Sequence, residues 1–135
     1  MTVRGIHHLG VAVVDLDQAL ATYEQLLGAS LVRRESLPEQ GVEAALLRVG
    51  ESRVELLAAT GPETPVGKFL ASRGPGMHHV AYAVDDLAST LASLRSAGVE
   101  LVDCEPRRGL CGLQVAFLHP RALHGVLCEL VRDGG

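Results

Sequence analysis

The apolar and polar positions of this chain change period several times. Residues 6–14 run as an apolar stretch rich in small and β-branched side chains, with two adjacent histidines near its start, and predict a strand. Leu16, Ala19, Leu20, Tyr23 and Leu27 then recur at helical spacing. Asp15 or Asp17 is placed to cap that helix and Gly28 to stop it. Alternation returns near 29–37, 42–49 and 53–58, with Gly50-Glu51 as a turn signal, so three strands follow the helix.

The same order then begins again. Ile6-His7-His8-Leu9-Gly10-Val11-Ala12-Val13 is matched by Met77-His78-His79-Val80-Ala81-Tyr82-Ala83-Val84, an offset of 71 residues that holds without a gap through Leu20 and Leu91. The second copy predicts a strand at 77–84, a helix at 86–97 ending at Gly98, and strands near 99–105, 113–119 and 125–132. Arg53-Val54-Glu55-Leu56-Leu57 and Leu127-Cys128-Glu129-Leu130-Val131 close the two copies alike, each with a glutamate inside an apolar run. Between the copies lies a segment rich in glycine and proline, in which Thr64-Pro65 opens a short helix over Val66 to Ser72. The expected architecture is α+β: one domain of two β-α-β-β-β modules, about 6–58 and 77–132, joined by a linker at 59–76. Their eight strands form an open-barrel-like cleft.

A strand sends alternate side chains to opposite faces. In the first strand His7, Leu9, Val11 and Val13 share one face, and His8, Gly10, Ala12 and Val14 the other. The bulkier set belongs beneath the helix. The set with His8 is small and leaves space. His78, Val80, Tyr82 and Val84 divide from His79, Ala81 and Ala83 in the same way, so His8 and His79 are equivalent. Glu55 and Glu129 sit in strands otherwise fit for burial, where an ionised carboxylate is costly unless it is paired or binds a metal. His8, Glu55, His79 and Glu129 thus form a mixed nitrogen and oxygen set for one divalent ion. On an octahedral ion they would leave two positions for a bidentate substrate. His7 and His78 point the other way and read as structural. His119, before Pro120, reads as a turn-stabilising residue at least as readily as a substrate contact.

Composition narrows the function. Aromatics are 3% of the chain, with no Trp, and the net charge is −4, so neither base stacking nor a phosphate backbone is indicated. The three cysteines are odd in number and lack a C-x-x-C pair, which favours a reducing, cytoplasmic setting. No segment reads as a signal peptide or a membrane span.

The duplicated unit, with His early in each first strand and Glu in each last strand, resembles the vicinal-oxygen-chelate (glyoxalase, bleomycin-resistance and dioxygenase) superfamily. Within it, Pro38-Glu39-Gln40-Gly41-Val42, Val66-Gly67-Lys68-Phe69-Leu70, Gly76-Met77-His78-His79, Phe117-Leu118-His119-Pro120 and His124-Gly125-Val126-Leu127 resemble segments of the methylmalonyl-CoA epimerases. The resemblance runs from Ile6 to Val131. It implies a cobalt-, manganese- or zinc-like ion on His8, Glu55, His79 and Glu129, and inversion at carbon 2 of an acyl-CoA substrate through a stabilised enolate. The alternatives on the same fold are a glyoxalase I-type lyase and a metal-free binding protein of the bleomycin-resistance kind. The expected partners are the small acyl-CoA and a second copy in a homodimer, with no nucleic acid and no membrane. Lys68, Arg107 and Arg108 are candidates for coenzyme A phosphates, although solvated surface roles suit them equally.

The resemblance also implies an acid/base glutamate three residues after the glycine of the Gln-Gly-Val segment in some members. That position is Ala44 here, with Glu43 one residue earlier. A bulge beside Gly41 would re-aim Glu43 into the site. The acid/base candidates are therefore Glu43 and Glu129.

Overall fold

The computed structural model describes residues 3–133. Its elements are β1 (Val3–Ala12), α1 (Leu16–Leu27), β2 (Ser30–Leu37), β3 (Val42–Val49), β4 (Ser52–Ala59), α2 (Pro65–Arg73), β5 (Gly76–Val84), α3 (Leu87–Ser96), β6 (Arg107–Arg108), β7 (Gln114–Leu118) and β8 (Cys128–Arg132). The strands follow the order β2-β3-β4-β1 in the first half of the chain and β5-β8-β7-β6 in the second. The chain divides into two compact units. One takes His8–His78; the other takes the start of β1 through His7 and the chain from His79 onward.

Both units are built by the same rules. In the first, β1 pairs in parallel with β4, and β4, β3 and β2 follow antiparallel. In the second, β5 pairs in parallel with β8, and β8, β7 and β6 follow antiparallel. A parallel pair needs a crossover, and α1 or α3 lies on it. The Asp15 carboxylate accepts from the backbone N–H of Gln18 at 3.0 Å, and Asp86 does the same for Ser89 at 3.0 Å. Each satisfies an amide that a helix start leaves without an intrahelical acceptor. Gly28 closes α1 at φ 65°, a left-handed value that glycine adopts without a Cβ clash.

The helices cover the bulkier strand face, as alternation requires. Leu16 and Leu20 of α1 pack with Val13, Ala45, Leu47 and Leu56, with Val11 and Val54 at the margin. Leu87 and Leu91 of α3 pack with Val84, Ala116, Leu118, Cys128 and Leu130, with Tyr82 at the margin. The opposite faces carry His8, Gly10 and Ala12 in one unit and His79, Ala81 and Ala83 in the other.

Two expectations are corrected. Residues 99–105 do not form a strand; only a bridge from Leu101 to Leu118 and the two-residue β6 stand there. The cause is Asp103, whose carboxylate accepts the Phe117 N–H at 2.9 Å and takes a donor that a ladder partner would use. The last strand begins at Cys128, not at 125. Pro120–Leu123 form a turn of 3-10 helix, and His124 and Gly125 have φ of 58° and 99°, which breaks extended backbone. His119 caps that turn: its Nδ1 accepts from the Arg121 N–H at 3.1 Å, which is one of the two roles the sequence left open for it.

The linker helix α2 is held to its own lead-in by a close approach. A Cβ at Gly67 would lie 2.2 Å from the Gly61 carbonyl oxygen, backbone that cannot rotate away. Thr64 caps the helix by accepting from the Gly67 N–H at 3.0 Å. Gly67→Ala should therefore destabilise the protein by about 1–3 kcal/mol, the usual range for overpacking. Urea unfolding measures it, and an unchanged midpoint would show that the Gly61 turn yields freely.

Candidate metal and catalytic site

In the first unit Glu55 stands in β4 opposite Gly10 of β1 on one side and Leu46 of β3 on the other. Leu56 and Val54 face α1, so Glu55 faces away from the helix, on the same side as His8. Both side chains are buried, and His8 Nε2 lies 3.5 Å from Glu55 Oε1. The second unit repeats this. Glu129 of β8 stands opposite Ala81 of β5, two residues beyond His79, and His79 Nε2 lies 3.2 Å from Glu129 Oε1, both buried. Phe117, opposite Glu129 in β7, sets its ring edge-on to His79 at 5.5 Å. In each unit the register puts the glutamate two residues ahead of its histidine.

The separations bear on what the pairs can hold. A charge-assisted N–H···O bond is about 2.7–2.9 Å long, shorter than either pair. Two ligands each about 2.1 Å from one ion stand about 3.0–3.4 Å apart at neighbouring positions. Imidazole nitrogen with carboxylate oxygen is a donor set suited to zinc, cobalt or manganese. The His79–Glu129 separation of 3.2 Å falls inside that range and the His8–Glu55 separation of 3.5 Å just beyond it, so both pairs suit ligands of a divalent metal better than direct charge-assisted hydrogen bonds.

The neighbouring histidines do other work. His7 Nε2 is 3.2 Å from Asp133 Oδ2 at the end of β8, and His78 sets its ring edge-on to Phe69 of α2 at 5.0 Å. Cys128, next to Glu129, lies in the α3 core. Burial, and secondarily the adjacent carboxylate, push its thiol up to about 11, so it remains protonated at neutral pH and packs as a small apolar side chain.

Glu43 does not join these residues. The β3–β4 register runs unbroken from Val42 opposite Ala59 to Val49 opposite Ser52, so no bulge re-aims Glu43. The bulge in this region falls in β2 instead, between Leu31 and Arg33. Glu43 therefore shares the α1 face with Ala45 and Leu47. There its Oε1 accepts from Arg34 Nε at 2.9 Å and Nη2 at 2.7 Å, while Arg34 Nη1 reaches Asp17 of α1. The two carboxylates raise the pKa of the Arg34 guanidinium, Asp17 foremost. Sequence reading passed over Glu35 of β2. It stands opposite Ala44, on the face of Glu55, with its side chain 13% exposed. Its signal was the alternation of Arg33, Glu35 and buried Leu37, obscured by the bulge upstream.

The glyoxalase/bleomycin resistance protein/dioxygenase superfamily model matches residues 7–117. The chain belongs to that superfamily. Its relatives narrow the membership to the methylmalonyl-CoA epimerases. The crystal structure of methylmalonyl-CoA epimerase from Mycobacterium tuberculosis is 40% identical, with a TM-score of 0.93 over 98% of this chain and 90% of that one. A variant of the Streptomyces coelicolor methylmalonyl-CoA epimerase in complex with 2-nitronate-propionyl-CoA is 37% identical, with a TM-score of 0.95 over 99% and 97%. The ethylmalonyl-CoA/methylmalonyl-CoA epimerase of Cereibacter sphaeroides is 34% identical over 127 residues, which are 93% of this chain and 95% of that protein.

Because Glu43 sits in a surface ion pair on the helix side, Glu43→Gln should leave epimerisation within about threefold of wild type, against the 10²–10⁴-fold that a proton-transfer group contributes. Exposed ion pairs contribute about 0–1 kcal/mol, so unfolding should shift little. Steady-state rates at fixed metal occupancy check it; a hundredfold loss would return Glu43 to the mechanism.

Proposed function

We propose that this chain is a metal-dependent epimerase that interconverts the 2R and 2S forms of methylmalonyl-CoA, with His8, Glu55, His79 and Glu129 as the metal ligands. The observation that carries the reading is the donor set: two buried histidine–glutamate pairs at repeat-related positions. Relatives at 34–40% identity over nearly the whole chain support the substrate class.

Carbon 2 of the substrate lies between a thioester carbonyl and a carboxylate, and its hydrogen is acidic for that reason. When bound, a divalent ion supplies Lewis acidity to oxygens on either side of that carbon and so favours its ionisation. The chain's own part is threefold. His8 and His79 offer neutral imidazole nitrogens, and Glu55 and Glu129 bring negative charge into strands that otherwise exclude it. The small faces of Gly10 and Ala12, and of Ala81 and Ala83, leave room for a three-carbon acid. Inversion then needs proton-handling groups on both sides of a planar carbon. The Streptomyces enzyme is known in complex with 2-nitronate-propionyl-CoA, whose carbon 2 is trigonal, in keeping with such a site. Glu129 serves first as a ligand. As an acid/base it would be weak, because electron density donated to a cation is withheld from a proton.

The remaining parts of this reading are a cobalt-, manganese- or zinc-like ion, a cytoplasmic setting, and a homodimer. The dimer would cover Leu26, Leu27, Leu31 and Val32, which stand exposed at the end of α1 and the start of the edge strand β2. Among the described residues no helix is long and apolar enough to cross a membrane.

The test joins metal analysis to isotope exchange. Wild type should hold about one divalent ion per chain and incorporate solvent deuterium at carbon 2 of methylmalonyl-CoA. His79→Ala should lose both the ion and the activity, whereas His78→Ala, which removes only the contact with Phe69, should keep most of the ion. Equal metal loss in both variants would overturn the ligand assignment, and wild type without exchange would overturn the reaction.

A further inference from the structure

The first unit's sheet places one more carboxylate on the face of the ligand pair. On that face β1 presents His8, Gly10 and Ala12, β3 presents Ala44 and Leu46, and β4 presents Glu55 and Leu57. Beyond the bulge, β2 presents Arg33, Glu35 and Leu37. Among the carboxylates of the described β1–β4, Glu43 faces α1, which leaves Glu35 and Glu55 on this side. The row through Glu35 runs to Ala44, Leu57 and Ala12; the next row runs from Arg33 to Leu46, Glu55 and Gly10. Ala44 and Ala12 are fully buried and small, so the β3 position directly opposite Glu35 carries no bulky side chain.

We propose that Glu35 is an acid/base residue of this enzyme, exchanging a proton with carbon 2 of the substrate from the β2 side. The assignment rests on the epimerase reading above. Two strand spacings across and one row along separate the Glu35 and Glu55 backbones by roughly 12 Å. Two glutamate side chains raised from the sheet, with a small diacid unit between them, bridge that separation. A carboxylate beyond the ligands reaches the carbon and not the ion. Arg33, on the same face with Nε 3.6 Å from Glu35 Oε1, offsets its charge without covering it: the Arg33 side chain remains about half exposed. In the step, the hydrogen of carbon 2 passes as a proton to the Glu35 carboxylate. The C–H electron pair spreads into the adjacent carbonyl groups, a second general acid or a water on the other face supplies the replacement proton that completes the inversion, and the proton on Glu35 passes to solvent before the next turnover. The reverse direction uses Glu35 as the acid.

The decisive comparison is wild type, Glu35→Gln and Glu35→Asp, each with metal content, thermal unfolding, epimerisation rate and deuterium exchange measured from each separate epimer. Glu35→Gln should keep its metal and melting temperature and lose epimerisation at least a hundredfold, within the range for a general acid–base group. One epimer should continue to exchange deuterium with retention of configuration, because the group on the opposite face is intact. Glu35→Asp should recover part of the rate. If wild type epimerises and Glu35→Gln stays within about threefold of it, Glu35 is removed from the mechanism and the epimerase reading stands. Loss of metal or of folding in Glu35→Gln, with no recovery in Glu35→Asp, also overturns the assignment. If wild type neither epimerises nor exchanges, both readings fall together.

Discussion

A carboxylate placed in an apolar strand must be matched by positive charge or by donors, and Glu55 and Glu129 impose that condition twice on this fold. Almost everything near them answers it. The parallel pairs β1–β4 and β5–β8 set each glutamate beside a histidine-bearing strand in the one register that keeps both on the side away from the helix. The small residues ahead of each histidine keep that side open, and the bulky ones behind it anchor the helix. Replacing either glutamate by leucine would satisfy packing rules better, which is why their presence reads as chemistry and not as stability.

The helix faces meet the opposite demand with ordinary means. With few aromatics available, the cores under α1 and α3 are assembled from leucine, valine and alanine, and they close on the capping aspartates Asp15 and Asp86. These are local devices, repeated at equivalent places in both copies. They hold two similar units without requiring similar loops, and the loops have diverged accordingly. The first unit reaches its third strand through Pro38–Gln40 and Gly41, whereas the second spends residues 109–113 on a turn containing Cys111 at φ 62°.

Where alternation was strict, the amino-acid pattern carried the structure. The offset of 71 residues located both first strands, the helix that follows each, and the face on which His8 and His79 stand. The pattern failed where a side chain competes with the backbone for hydrogen bonds or where a residue must adopt positive φ. Asp103 dissolves the expected strand at 99–105, and His124 with Gly125 delays the last strand to Cys128. The bulge expected beside Gly41 was misplaced for a related reason. Gly41 is the visible signal for irregularity, yet it is used in the turn before β3, at φ 69°, and the irregularity itself lies across the ladder in β2, where no glycine marks it.

That displaced bulge acts as a reading frame for the edge strand. Upstream of it, Leu31 is in phase with Leu47 and the helix; downstream, Arg33, Glu35 and Leu37 are in phase with Leu46, Ala44 and Val42. The bulge absorbs one residue: if the same residues paired regularly from Leu31 onward, everything from Val32 to Leu37 would take the opposite phase. Arg34 would then be turned toward the ligand face and Glu35 toward α1. Loss of Val32 alone would instead straighten the strand and leave Arg33, Glu35 and Leu37 in their present pairing, so the charge beside the ligand pair depends on the bulge only while that extra residue is there.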